Sequence, residues 1–201
     1  MARSTSRREA KPLFVGLEHA LDSPDYRKTL ALIEKNVKPG MRVGLELSRQ
    51  RLDDAMKNQR EYSNDFFVNI AGKIREKGGT IVPIDADNGR FHYLANIGLS
   101  MRFDPRRPHL STKEERTAFN NVSKLILLRS KNMLRNALNH GTQINFVGAQ
   151  HAYEINRFAR HVPLSVQLLS KHPQLKYAYR VLPKKDLAEL AARFKTIKPR
   201  K

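Results

Sequence analysis

Short apolar runs alternate with longer amphipathic stretches along this chain, and that pattern predicts a mixed α/β fold. The runs are predicted to be buried strands because each is short, apolar and bounded by turn residues. They cover residues 12–17, 41–47, 80–87 and 142–148. Strands that alternate with helices favour a mainly parallel central sheet flanked by helices, in a single domain.

Capping residues mark the helix boundaries. Ser23 is the expected N-cap of the first helix, and Pro24 takes the first helical position, where its missing N–H costs nothing. Residues 48–79 carry the helical period with a break near residues 62–64. The longest helix follows residues 111–112, which open a capping box. These signals place a helix or a helix pair after each of the first three strands.

Composition limits the architecture to one core. A chain of 201 residues, 40% of them hydrophobic, can bury a single core. We therefore expect an α/β domain over residues 12–170, ending in a short helix after His151. Basic extensions flank it at residues 1–11 and 171–201, and the second extension includes a candidate strand at 175–182 and a final helix.

The chain also lacks several features that would assign it to other protein classes. Cysteine is absent, which excludes disulfides, thiolate metal sites and cysteine nucleophiles. The polar, basic N-terminus lacks the apolar segment of a secretory signal. No run reaches the roughly 18 apolar residues of a membrane span. We therefore expect a cytoplasmic protein without a membrane span.

The formal net charge is +19, and it is concentrated at the chain ends. Residues 1–11 carry four basic side chains and one acidic one, and residues 171–201 carry ten basic and two acidic ones. Basic ends on a less basic body favour contact with polyanions, so RNA, DNA or the ribosome is a candidate partner. The alternative is that the charge serves solubility alone. The candidate contact residues in the tail are Lys184, Lys185, Lys195, Lys198, Arg200 and Lys201.

The segment Gly-x-x-His-Ala occurs twice, each time at the end of a predicted strand. Glycine lets the backbone turn sharply there, and the histidine three residues later can point back over the sheet. Acidic residues end the second and third strands. Ligands of parallel sheets bind beyond the carboxyl ends of the strands, so we expect all these residues at one edge. They are Gly16, His19, Glu46, Asp85, Asp87, Gly148 and His151.

Two imidazoles and one carboxylate suit a divalent cation such as Zn, Mn, Co or Fe, and the candidate ligands are His19, Glu46 and His151. Such a cation lowers the pKa of its bound water and polarises a carbonyl, which is hydrolytic chemistry. The alternative is that each histidine is a hydrogen-bonded structural residue. The phosphate-binding loop, the G-x-G-x-x-G fingerprint, the G-x-S-x-G elbow and the H-E-x-x-H motif do not occur in the sequence.

Five segments occur in a fixed order: FVGLEHA (14–20), VGLELSRQRLDDAM (43–56), PIDADNGRF (83–91), LLRSKNMLRNAL (127–138) and NFVGAQHA (145–152). Together they resemble the TraB/Tiki group, which is related to the erythromycin esterase and ChaN-like folds. Members of that group carry two Gly-x-x-His motifs, a Glu at a second strand end followed by an Arg, and an Arg in a long helix before the second motif. The resemblance covers roughly residues 13–155.

The resemblance implies a mixed α/β fold and a metal-dependent hydrolase, with peptidase activity suggested for some members. Carried over by position, His19, Glu46 and His151 are implied to be metal ligands or catalytic groups. Arg129 looks like the helix arginine that holds a carboxylate or a substrate oxyanion with its donor fork. The supporting residues implied by the same comparison are Arg51, Asp85 or Asp87, and Arg90.

Two hypotheses of different classes follow. The first is a hydrolase of peptide or ester substrates that uses a cation to activate water, with Glu46 or Glu18 as ligand or general base and Arg129 stabilising the oxyanion. The second is a non-catalytic protein of the same fold whose basic ends hold RNA, DNA or a ribonucleoprotein. The chain has no Trp and few aromatic residues, so base stacking is not indicated and phosphate contact remains.

Overall fold

The structure is a computed structural model that describes residues 11–58, 62–85 and 113–169, with the side chains of the long helix from residue 126 onward. Strands and helices alternate as the apolar pattern predicts, and the α/β class is confirmed. In chain order the elements are β1 (Leu13–Leu17), α1 (Pro24–Asn36), β2 (Arg42–Leu45), α2 (Arg49–Lys57), α3 (Phe66–Glu76), β3 (Thr80–Pro83), α4 (Lys113–Asn139), β4 (Ile144–Gly148), α5 (Ala149–Phe158) and β5 (Ser165–Leu168).

The five strands form one sheet in the order β3-β2-β4-β1-β5, and every neighbouring pair is parallel. The predicted parallel central sheet is therefore confirmed. The first and fourth strands, which carry the repeated Gly-x-x-His segments, are direct neighbours, and Leu17 is paired with Gly148. The two segments thus lie side by side, although about 130 residues separate them along the chain.

Two elements differ from the sequence prediction. β5 was not predicted, because most of its residues are exposed and it contains no apolar run. It pairs with β1 at the edge of the sheet, where backbone hydrogen bonds hold it. The helix expected after His151 begins at Ala149 instead, so His151 lies in the first turn of α5.

Helices cover both faces of the sheet. On one face α1, α2 and α3 pack through residues such as Ile70, and on the other face α4 and α5 pack through residues such as Met133. Successive strand side chains alternate between the faces, so Phe14 belongs to the second apolar cluster and Val15 to the first. Within the described ranges, no helix has the length and apolar composition needed to cross a membrane.

The predicted helix ends are confirmed where the structure describes them. Ser23 is the N-cap of α1 and its side chain accepts a hydrogen bond from the Asp25 N–H, with Pro24 in the first helical position. The break between α2 and α3 falls around the turn at residues 62–64. Gly141 ends the long helix with a φ of 59°, a left-handed conformation that glycine adopts readily.

A buried polar contact crosses the centre of the sheet. Asn145 is fully buried, and its Oδ1 accepts a hydrogen bond from Thr142 Oγ1 at 2.6 Å while its Nδ2 donates to the Leu13 carbonyl at 3.3 Å. The missing side chain of Gly44 makes room for this amide, because a Cβ there would lie 2.1 Å from Asn145 Oδ1. Asn145 of β4 therefore favours glycine at position 44 of β2.

We expect Gly44→Ala to destabilise the fold by about 1–3 kcal/mol, since the added methyl displaces Asn145 from two hydrogen bonds in a packed layer. Gly72→Ala is the matched control, because nothing lies within 4 Å of a Cβ at that exposed position in α3. That change should stabilise by up to about 1 kcal/mol through helix propensity. Urea unfolding measures both, and equal midpoints for the two variants would contradict the packing argument.

Candidate functional site

Four neighbouring strands bring their following residues to one edge of the sheet. Asp85 follows β3, Glu46 follows β2, His151 lies in the first turn of α5 after β4, and His19 lies in the loop after β1. The order of the strands therefore sets the order of the side chains along the edge. This is the edge at which parallel sheets bind their ligands.

Backbone hydrogen bonds continue past the ends of the strands and fix both acidic residues. The Glu46 N–H donates to the Phe146 carbonyl at 3.1 Å, and the Asp85 N–H donates to the Leu47 carbonyl at 3.2 Å. Both carboxylates are almost completely buried. Their positions are thus determined by the sheet rather than by a flexible loop.

Arg129 of α4 joins the two acids across the edge. Its Nε lies 3.1 Å from both carboxylate oxygens of Asp85, and its Nη2 donates to Asp85 Oδ2 at 2.5 Å and to Glu46 Oε1 at 2.9 Å. Nη1 lies 3.4 Å from His151 Nε2. Arg129 therefore pairs with two carboxylates of the protein itself.

Glu46 is the centre of the cluster, with each carboxylate oxygen facing a different histidine. Oε1 lies 3.5 Å from His151 Nε2, and Oε2 lies 3.7 Å from His19 Nε2. Oε2 also accepts a 2.6 Å hydrogen bond from the Gly148 N–H. Gly148 is the N-cap of α5, and the positive end of a helix dipole favours a carboxylate.

The charges of the cluster depend on one another. Burial by itself raises the pKa of Glu46, and the positive charges of His151, His19 and Arg129 outweigh it, so the pKa lies below its ordinary value. Burial likewise opposes the charge of Arg129, but Glu46 and Asp85 raise its pKa overall. At neutral pH the cluster therefore contains an ionised Glu46 held by a charged Arg129.

His151 is a buried, neutral imidazole. Burial lowers its pKa to about 4, with Arg129 reinforcing this effect and Glu46 opposing it. Its Nδ1 lies 2.8 Å from Ser130 Oγ on α4, and Ser130 Oγ also makes a short hydrogen bond to Glu154 Oε2. Because His151 carries no charge at neutral pH, the permanent charge that acts on Glu46 there comes from Arg129.

His19 is the accessible member of the site, with 40% of its side chain exposed. Its ring lies edge-on against Phe67 with centroids 4.6 Å apart, and it is tilted against Phe66 at 6.0 Å. The loop before it is anchored by the Glu18 N–H, which donates to the buried Asp25 carboxylate at 3.1 Å. The two histidines of the repeated segment therefore have opposite environments.

Other predicted residues lie elsewhere or contribute through packing. The Glu18 carboxylate accepts a hydrogen bond from Ser23 Oγ at 3.3 Å, at the start of α1. Arg51 pairs with Asp65, the N-cap of α3. Gly16 permits the close approach of α5, because a Cβ there would lie 2.6 Å from Ala152 Cβ.

Several predicted residues lie outside the described residues, so their predictions stay predictions. These are Asp87, Arg90, Lys184, Lys185, Lys195, Lys198, Arg200 and Lys201.

Two buried side chains next to the site were missed by the sequence analysis. Ser130 lies in the predicted long helix, and its bond to the Ile126 carbonyl at 2.9 Å is one that a helix hydroxyl commonly makes. Its second role, the contact with His151, depends on how α4 packs on α5. Glu154 lies three residues after His151 on the same helix face, and this spacing was the available signal.

The described ranges contain no group of three or more His, Asp or Glu side chains with the spacing of a ready metal site. The guanidinium of Arg129 contacts both Glu46 and His151 at this edge. Comparison with protein-family models, curated proteins and solved structures finds no match to this chain. The TraB/Tiki resemblance therefore remains a prediction from the sequence.

We expect Arg129→Met to destabilise the protein by about 3–5 kcal/mol, because it leaves two buried carboxylates without their cation. Arg51→Met is the matched control, since it breaks an ion pair whose arginine side chain is 50% exposed. That change should cost no more than about 1 kcal/mol. Chemical denaturation measures both, and a loss below about 1 kcal/mol for Arg129→Met would show that the buried pair is not needed.

Stability should also depend on pH through His151. Between pH 6.5 and about 4 the unfolded state binds a proton at this residue and the folded state does not, so stability falls as the pH is lowered. The lowered pKa of His151 should reduce the free energy of unfolding by about 3 kcal/mol across this pH range. Urea unfolding at several pH values, with chelator present, should show this loss in the wild type and lack it in His151→Gln. Parallel pH curves for the two proteins would contradict the assignment, and the exposed His140→Gln serves as control.

Proposed function

We propose that this protein is a metal-dependent hydrolase of peptide or ester bonds, with its site at the carboxyl edge of the sheet. One observation carries the proposal: the Nε2 atoms of His19 and His151 face the two oxygens of one buried carboxylate, at 3.7 and 3.5 Å. Two imidazoles and a carboxylate are a common ligand set of hydrolytic metal sites. The repeated Gly-x-x-His segments supply both imidazoles.

The charge of the cluster supports binding of a cation. Among the described residues at this edge, Glu46 and Asp85 are two carboxylates and Arg129 is one permanent cation. His151 is neutral, as a metal ligand must be. The residual negative charge in a buried environment favours an added positive charge close to Glu46.

The space around Gly148 also fits this role. A Cβ at Gly148 would lie 2.8 Å from His19 Nε2 and 3.3 Å from Glu46 Oε2. An added methyl would displace the His19 imidazole from its place opposite the carboxylate. Gly148 therefore leaves open the space that His19 Nε2 faces.

His19, Glu46 and His151 would hold the cation, which when bound supplies a water of lowered pKa and polarises a substrate carbonyl. Binding requires Arg129 Nη1 to release His151 Nε2, a contact that is long for a hydrogen bond at 3.4 Å. The bonds of Arg129 to Asp85 keep the guanidinium in place and hold Glu46 ionised. The exposed face of His19 gives a substrate access from solvent.

Metal binding by the purified full chain tests the site. Titration with Zn²⁺ or Mn²⁺ should show one site per chain and raise the melting temperature, because a ligand that binds only the folded state stabilises it. His19→Ala and Gly148→Ala should each lose this binding. His140→Ala is the matched control, since that histidine is exposed and lies at the C-terminal end of α4, next to Arg42 at the start of β2. Equal binding by wild type and His19→Ala would refute the site.

Hydrolysis is tested separately with chromogenic esters and peptide amides, before and after the cation is restored to chelated protein. Turnover should require the cation and should fall by at least about 100-fold in Glu46→Gln, because the ligand charge and the orientation of both imidazoles are lost. If the protein binds the cation stoichiometrically but hydrolyses no substrate in the panel, it is a metal-binding protein and the proposed hydrolase activity is refuted.

A further inference from the structure

Ser130 lies at the centre of a buried polar chain behind the site. Its side chain is fully buried, and its Oγ contacts His151 Nδ1 at 2.8 Å, the Ile126 carbonyl at 2.9 Å and Glu154 Oε2. His151 and Glu154 are three residues apart on α5, so both face the same hydroxyl on α4. The imidazole is therefore held from the side opposite to Glu46.

A count of protons decides which nitrogen of His151 carries its hydrogen. A hydroxyl has one proton to donate and two lone pairs to accept with. An ionised Glu154 accepts the hydroxyl proton, and Ser130 then has only a lone pair left for His151. In this chain of carboxylate, hydroxyl and imidazole, Nδ1 is the donor.

The other side of the ring is compatible with this assignment. Arg129 Nη1, which can only donate, lies 3.4 Å from His151 Nε2. Glu46 Oε1, which can only accept, lies 3.5 Å from the same nitrogen. The assignment therefore rests on Ser130 and Glu154 at the Nδ1 side of the ring.

We propose that Ser130, held by an ionised Glu154, is a positioning residue that keeps His151 as the Nδ1–H tautomer and leaves Nε2 unprotonated at the edge of the site. The consequence for catalysis rests on the proposed function, because an unprotonated Nε2 is what ligation of a cation requires. The tautomer itself is a property of the metal-free protein. It can be judged whether or not a cation binds.

The same contacts exclude a different role for the serine. A serine beside a histidine suggests a nucleophile activated by a base. Ser130 is fully buried and its hydroxyl is bonded on all sides, so a substrate cannot reach it. The order of the chain is carboxylate, hydroxyl, imidazole, which places the imidazole and not the hydroxyl toward the cluster.

The tautomer is measured directly by long-range ¹H–¹⁵N correlation of the histidine rings at pH 7 in chelated, full-length wild-type protein. The His151 signals are assigned by their loss in His151→Gln. We expect a protonated Nδ1 and an unprotonated Nε2. A dominant Nε2–H form would overturn the proposal.

Ser130→Ala tests the serine, with Thr29→Ala as the matched control. Thr29 is also a fully buried helix hydroxyl, and it bonds the carbonyl four residues before it at 2.7 Å. Both variants should lose stability. Only Ser130→Ala should populate the Nε2–H tautomer, and Ser130→Thr should restore the wild-type signals. An unchanged ring spectrum in folded Ser130→Ala would overturn the role of Ser130.

The affinity for Zn²⁺ links the tautomer to the proposed function. Ser130→Ala should bind about 10–100-fold more weakly than wild type, the usual effect of removing a group that orients a metal-bound histidine. Thr29→Ala should bind as wild type does. Equal affinities for Ser130→Ala and wild type would overturn the positioning role. If wild-type protein binds no cation, the proposed function fails, and the ring spectra still decide the tautomer.

Discussion

The buried guanidinium of Arg129 is the interaction on which this site depends. It contacts Asp85 after β3, Glu46 after β2 and His151 on α5, so one side chain of α4 connects three elements. Burying charges costs free energy that only close pairing and hydrogen bonding offset. The five donors of arginine, arranged in a planar fork, allow one residue to satisfy two carboxylates at once.

The repeated Gly-x-x-His segment has different structures in its two copies. After Gly16 the chain enters a loop, and His19 lies at the surface against Phe67. After Gly148 the chain begins a helix, and the first turn carries His151 into the interior. The same spacing therefore produces one accessible imidazole and one buried, neutral imidazole on either side of Glu46. The hydrolase that we propose would use both environments, because such a site admits a substrate and excludes bulk water.

The polar groups of the site are held by rigid parts of the fold. Sheet hydrogen bonds fix the backbone of Glu46 and Asp85, the start of α5 donates to Glu46, and the contact of α4 with α5 fixes the ring of His151 through Ser130. Such rigidity lowers the reorganisation that a reaction would need. It also means that changes in Gly148 or Ser130, which carry no charge, affect the charged groups directly.

Local sequence patterns predict the α/β class, the four apolar strands, the cap at Ser23 and the edge at which polar residues gather, because period, capping and strand-end position are local properties. The apolar pattern does not predict β5, since an exposed edge strand is stabilised by backbone pairing and needs no apolar run. The packing of the helices determines that Arg51 pairs with Asp65 while Arg129 enters the site, and that Ser130 contacts His151. Those outcomes depend on which helix faces pack together. A side chain's partner across such a contact is set by distances between elements that are remote in the chain.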